Sequence, residues 1–229
     1  MFKKGFTLAE VLITLGIIGI VAALTFPALM QTYKKKEVET RLKRFYSMIN
    51  QAIKLSEVEN GEALYWKKEN AIYDNDGNFD YEANGNSVKT FFLKYIGPYM
   101  KYLKIVDAEN TTNDGGNPSG TYMSVYLVDG SKFEMHNGDC IDFIYDVNND
   151  KGPNEFGRDR FNFAMCFSDN SRNSVLGNKN IIFGSMYYPS MHKTRAERLQ
   201  ACKNDGWWCT SLILYFDNWE IKDDYPQKL

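Results

Sequence analysis

The chain has 229 residues, 44% of them hydrophobic and 24% charged, with a formal net charge of −2. That length holds one sizeable domain plus an extra element and excludes three domains. Residues 1–59 carry 9 Lys/Arg against 5 Asp/Glu, whereas residues 60–229 carry 18 against 24. An acidic body argues against a broad nucleic-acid-binding surface, which needs positive charge. A basic start suits a terminus held at the cytoplasmic face of a membrane.

The first element is the opening stretch MFKKGFTLAEVLITLGIIGIVAALTFPALM. Val11 to Met30 contains no charge, and Glu10 stands at its head. Twenty residues in a helix span about 30 Å, the thickness of a hydrocarbon core. Lys3 and Lys4 precede the run, and Lys34, Lys35 and Lys36 follow it. A secretory signal peptide has a shorter apolar core and a small-x-small cleavage site. A plain membrane anchor explains the length of the run but not Glu10, because a carboxylate at its edge is costly to take into lipid. Gly16, Gly19, Ala22 and Ala23 thin one side of the helix, and small residues let helices approach closely in lipid.

The stretch Lys3-Lys4-Gly5-Phe6-Thr7-Leu8-Ala9-Glu10 resembles the type IV pilin and pseudopilin family, over about 25 residues. The resemblance implies cleavage between Gly5 and Phe6 by a membrane-embedded prepilin peptidase, followed by N-methylation of Phe6. Glu10 becomes the fifth residue of the mature chain, and Pro27 stands where the family places a helix-kinking proline. A buried carboxylate is tolerable when paired with a cation. In a filament, Glu10 of one subunit is therefore expected to pair with the Phe6 amine of a neighbour, as an assembly residue.

Past Met30, the residues Val38, Leu42, Phe45, Ile49, Ala52, Ile53 and Val58 recur at helical spacings among charges. This is an amphipathic stripe. The expectation is one long helix from about Phe6 to Val58, able to kink at Pro27. It stops at Asn60-Gly61. The implied organisation is a leader (1–5), a transmembrane or filament-core helix (6–30), its amphipathic continuation (31–59) and a head domain (60–229).

In the head, residues 74–87 and 107–120 are polar and turn-rich and read as loops, and residues 88–105 read as one or two short helices split at Gly97-Pro98. The stretch TYMSVYLVDGSKFEMH alternates and carries an Asp129-Gly130 turn, the signal of a hairpin. CIDFIYD, DRFNFAMCF, NIIFGSMYY and TSLILYFDNWEI are further strand candidates. A helix followed by strands predicts an α+β fold with an antiparallel sheet. The family's shape, a long helix lying on a sheet, implies the same.

Four cysteines, Cys140, Cys166, Cys202 and Cys209, suggest disulfides in an exported domain. They allow three pairings, and sequence alone does not choose. The pairing taken forward is Cys140 with Cys166 and Cys202 with Cys209; the second resembles the disulfide-closed region near the C-terminus of many pilin-like proteins. No Cys-x-x-Cys supports zinc.

The stretch DVNNDKGPNEFGRD places Asp146, Asn148 and Asp150 at alternate positions and ends on Asp159. Such oxygens can converge on calcium. Lys151 and Gly157 break the EF-hand pattern at its sixth and twelfth positions. Some pseudopilins hold calcium in a head loop, but their motif does not map onto this one. The segment is similar to an Asp-x-Asn, Gly-Pro-Asn, Gly-x-Asp segment found in pilin-like proteins, which implies a structural loop. Two readings stay open: a calcium loop and a network of Asx turns. No other cofactor is implied.

His136 and His192 lie near no nucleophile, and no catalytic motif is present. The short basic segment Lys193–Arg198 is the one candidate for a nucleic-acid patch. The leading expectation is a structural subunit of a type IV pilus or type II secretion pseudopilus, and not an enzyme. Its expected partners are other subunits, the prepilin peptidase, the inner-membrane assembly platform and the membrane itself. The chain is expected in the inner membrane as a single-pass protein, its head outside the cytoplasm, and then in the filament. The alternative is a minor pilin whose head binds a ligand or DNA at the filament tip.

Overall fold

A computed structural model describes residue 5 and residues 7–107, 123–149 and 151–229. Phe6 and Asp150 therefore lie outside the described residues, as do Lys3, Lys4, nearly all of the 107–120 loop and the first residues of the hairpin motif.

Helix α1 runs unbroken from Leu8 to Asn60, through Pro27. Thr7 and Glu10 form a capping box at its start, which satisfies backbone donors that would otherwise lack partners. At the far end Gly61 takes φ +74°, a conformation open to glycine, so the helix stops where Asn60-Gly61 signals. Among the described residues, the apolar half of α1 is left uncovered by the head: an 18-residue window with mean hydropathy 2.3 is entirely unburied.

The head packs on the second half of α1. Val38, Leu42, Phe45, Ile49, Ala52 and Ile53 are all buried. Val58 is 83% exposed instead; the buried face continues through Ser56, one helical turn after Ile53, and Val58 falls off it. The sheet has six antiparallel strands in chain order: β1 (Lys104–Val106), β2 (Met123–Tyr126), β3 (Lys132–Asn137), β4 (Ile141–Asp146), β5 (Arg160–Met165) and β6 (Phe183–Gly184). Phe133 pairs with Tyr145 and Phe143 with Phe163 across the sheet. Phe45 sits over them, stacked 4.2 Å from Tyr145 and 5.2 Å and 5.4 Å from Phe163 and Phe133. These aromatics fill the core between helix and sheet, and the fold is α+β.

Three expectations about local structure are corrected. Helix α2 spans Tyr81–Tyr95, so half of the expected 74–87 loop is helical. Asp80 caps it through the Ala83 N–H, and Asn84 is held by Ile72 and Asn137. Long-range bonds thus satisfy an Asn-Gly pair that would otherwise favour a turn, while Val88, Phe91, Phe92 and Tyr95 bury the helix face. The NIIFGSMYY segment contributes only two strand residues, because the N–H groups of Tyr187 and Tyr188 donate to Val175 O and draw the chain off the sheet.

The third correction concerns TSLILYF, which is helical. Helix α3 (Asp169–Ser171) and helix α4 (Arg195–Asn204) precede it. Helix α5 (Cys209–Ser211) then continues into a π-helical turn, Leu212–Phe216. A short apolar run has no periodicity that separates a strand from a buried helix. Here it is buried on several sides, with Leu212 in one cluster and Ile213 and Leu214 in another.

Candidate functional site

The N-terminal site is built by a single turn of helix. The Thr7 N–H and Oγ both donate to Glu10 Oε2, each at 2.8 Å, and the Glu10 N–H donates to Thr7 Oγ at 3.3 Å. The carboxylate therefore sits at the helix N-terminus, where the backbone dipole favours negative charge. Gly5 lies just before it. Beyond Glu10 the helix exposes Leu12, Ile13, Leu15, Ile17, Ile18, Ile20 and Leu24 to more than half of their free area. A surface so apolar needs lipid or protein around it.

The head carries a second set of sequence-marked residues. Both expected disulfides are present, Cys140–Cys166 and Cys202–Cys209, and no cysteine is free. Ile141 pairs with Met165, so antiparallel register places Cys140 and Cys166 opposite each other one step further on, with Cα atoms 4.5 Å apart. Closing loops with separations of 26 and 7 residues stabilises the fold by about 3.5 and about 2.4 kcal/mol in the chain-entropy account. Disulfides persist in an oxidising compartment.

The Asp146–Asp159 loop is a network of capped backbone. Asp146 Oδ1 accepts from the Asn148 and Asn149 N–H groups at 3.0 and 2.8 Å. Asp159 accepts from the Asn154 and Glu155 N–H groups at 2.9 and 2.8 Å and from Asn148 Nδ2 at 3.3 Å. Arg160 Nε stands 3.6 Å from Asp146 Oδ2. The Oδ1 atoms of Asn148, Asn149 and Asn154 are buried without a partner. Among the described residues, no three His, Cys, Asp or Glu side chains group as metal ligands.

This loop packs directly on the second disulfide. Gly157 has φ +80°, and a Cβ there would stand 2.7 Å from Cys209 Sγ. Both constraints require glycine. The C-terminal tail closes over the pair: Tyr225 OH donates to Gly157 O, Arg158 Nε to Lys228 O and Gln227 Nε2 to Cys202 O.

Two residues that join the head together carry no motif. Glu39 is a buried carboxylate of α1 that accepts from Lys36 Nζ and from the Ile221 N–H, both at 2.8 Å. It ties the C-terminal segment to the helix; its place beside Val38 on the apolar stripe is the one signal that sequence offers. Arg195 grips both Asp217 and Asp224 with two bonds each, and this ion pair holds the Asp224 carboxyl below the usual carboxylate range.

The expected basic segment Lys193–Arg198 is thereby no open patch. Arg195 is engaged as described, and Arg198 is fully buried. Its guanidinium lies 5.1 Å from the Tyr187 and Trp208 rings, and its Nη2 donates to Tyr187 O and His192 O. Burial first, and then the Arg198 charge, hold the His192 imidazole below its usual range. His136 stacks on Phe79, with Nδ1 3.7 Å from Asp142 Oδ2.

Comparison with known families gives two matches along the chain. Residues 1–26 match the prokaryotic N-terminal methylation motif, the type IV pilin signature. Residues 28–229 match a family of unknown function, DUF6613. The chain belongs to the DUF6613 family. No curated protein and no solved structure matches it. In this DUF6613 member the two matches meet at Pro27, about three helical turns before Val38, where α1 gains its buried stripe. The motif marks a type IV pilin-like or pseudopilin subunit and points to a structural part rather than an enzyme.

Proposed function

We propose that this DUF6613 protein is a subunit of a helical filament, either a type IV pilus or a type II secretion pseudopilus. Prepilin peptidase cuts between Gly5 and Phe6, and the new Phe6 amine is methylated. The chain waits in the inner membrane with its disulfide-bonded head outside the cytoplasm. The assembly platform then moves it into the filament. The observation that carries this reading is the pairing of the methylation motif with an apolar half-helix that its own head leaves uncovered. A hydrophobic surface of that size is stable first in lipid and then in a bundle of like helices.

The test is the intact mass and N-terminal sequence of the protein isolated from cell membranes. A chain beginning at Phe6 with an added methyl group is expected. A chain that begins at Met1 would leave a plain anchor, and one that begins beyond Met30 would mean a secreted protein.

We read the Asp146–Asp159 loop as a structural clasp for the Cys202–Cys209 region, and not as an ion site. Asp146 and Asp159 already receive at least five hydrogen bonds, four of them from backbone N–H groups, and Arg160 competes for the same negative charge. Millimolar calcium is expected to leave the melting temperature of the head unchanged. A rise that depends on calcium concentration would move the reading to a calcium loop, with Asp146, Asn148, Asp150 and Asp159 as ligands.

A further inference from the structure

A cleft of about 350 Å³ lies between helix α2 and the segment 67–69, beside the turn that joins β3 to β4. That volume is within the range of small-molecule sites. Its helix wall is Ala83, Asn86, Ser87, Thr90 and Lys94. They recur three or four residues apart and so share one face of α2. The outward face of a helix is ordinarily charged. This face is small and neutral until Lys94, and Lys89, also on α2, is taken up by Asp107.

The charges on the lining are the reverse of the head's. Residues 60–229 hold more acid than base, yet Lys67, Lys68 and Lys94 line the cleft against one carboxylate, Glu69. Among the described residues, none of these lysines is in an ion pair. Lys68 Nζ donates to the carbonyls of Glu69 and Gly138. Burial holds its ammonium below the usual lysine range, against the pull of Asp139 and Asp142. Lys94 Nζ lies 4.8 Å over the Tyr95 ring. Lys67 and Lys94 are exposed. The lining is completed by Val88, Phe91, Tyr95 and Ile141, with one polar group among them, Asn137. Asn137 is 1% exposed. Its Nδ2 donates to Asn70 O and Asn84 Oδ1, but its Oδ1 is buried without a donor. A buried acceptor left unpaired is costly.

We infer that this cleft binds an acidic sugar. Open ammonium groups select an anion. A bare anion only accepts hydrogen bonds, so it leaves Asn137 Oδ1 unpaired, whereas a sugar hydroxyl can donate. The same hydroxyls match the amide of Asn86 and the Oγ atoms of Ser87 and Thr90. A peptide strand needs an open sheet edge, and β3 and β4 are both inner strands. A nucleic acid would have to lie across the acidic surface of the rest of the head. The site belongs to the head alone and does not depend on the filament reading.

The test uses the full chain in detergent and an array of uronate-bearing oligosaccharides beside their methyl-esterified, neutral counterparts. At least one acidic member is expected to bind about tenfold more tightly than its neutral counterpart. The double variant Lys67→Gln with Lys94→Gln is expected to weaken that binding about tenfold. Its melting midpoint should stay in place, since both side chains are exposed. Lys101→Gln, outside the cleft, is expected to bind as the unsubstituted chain does. Thr90→Trp, which fills the cleft from an exposed position, is expected to abolish binding. The proposal is overturned if no acidic member binds, if the neutral counterparts bind equally, or if the double variant retains full affinity. Equal competition by inorganic phosphate or hexaglutamate would also overturn it, because the cleft would then read charge without the sugar.

Discussion

Phe45→Ala is expected to cost about 3–5 kcal/mol, the usual range for emptying an aromatic site in a core. Phe45 is 1% exposed and touches rings from three strands, Phe133, Tyr145 and Phe163, with Phe183 of a fourth at 6.1 Å. Collapse around the gap is hindered because the rings stand on a paired sheet and the helix is tied to the C-terminal segment through Glu39 and Ile221. For a head of this size the loss corresponds to a fall in melting temperature of about 6–20 °C. The measurement is thermal unfolding of the full chain in detergent, with Val58→Ala as the control. Val58 is on the same helix but exposed, so its truncation is expected to leave the midpoint in place. Equal midpoints for Phe45→Ala and the unsubstituted chain would mean that α1 is not part of the head's core.

Glu10→Ala is expected to abolish incorporation into filaments while leaving cleavage and membrane insertion intact. The carboxylate has two distinct roles in this reading. Within the chain it closes the capping box with Thr7. Between chains it is proposed to meet the Phe6 amine of a neighbour, neutralising a charge that is costly alone in an apolar bundle. Glu10→Gln separates the two, since an amide oxygen still accepts from the Thr7 N–H but carries no charge. Both variants are expected in the membrane fraction and missing from sheared filaments. Normal assembly of Glu10→Gln would show that capping, and not charge, is what the glutamate supplies. Normal assembly of Glu10→Ala would remove Glu10 from the assembly mechanism.

The sequence by itself determined the parts of this protein that depend on local pattern. Glu10 at the head of a twenty-residue apolar run, the stripe from Val38 to Ile53 and the Asn60-Gly61 stop each specify helix through neighbours along the chain. The Asp129-Gly130 hairpin is equally local: Gly130 takes φ +81° as that turn requires. Tertiary structure decided what local pattern leaves degenerate. Asn84-Gly85 reads as a turn and lies in a helix, because Ile72 and Asn137 hold the asparagine from afar. TSLILYF reads as a strand and coils, because Cys209 is tied back to Cys202 and the run is buried on several sides. Register alone set Cys140 against Cys166, and the roles of Glu39, Arg195 and Arg198 come from partners up to 182 residues away. Periodicity records which face of an element is apolar. It does not record which distant group will satisfy a polar atom, and those long-range hydrogen bonds and ion pairs chose the conformation wherever pattern and fold disagree.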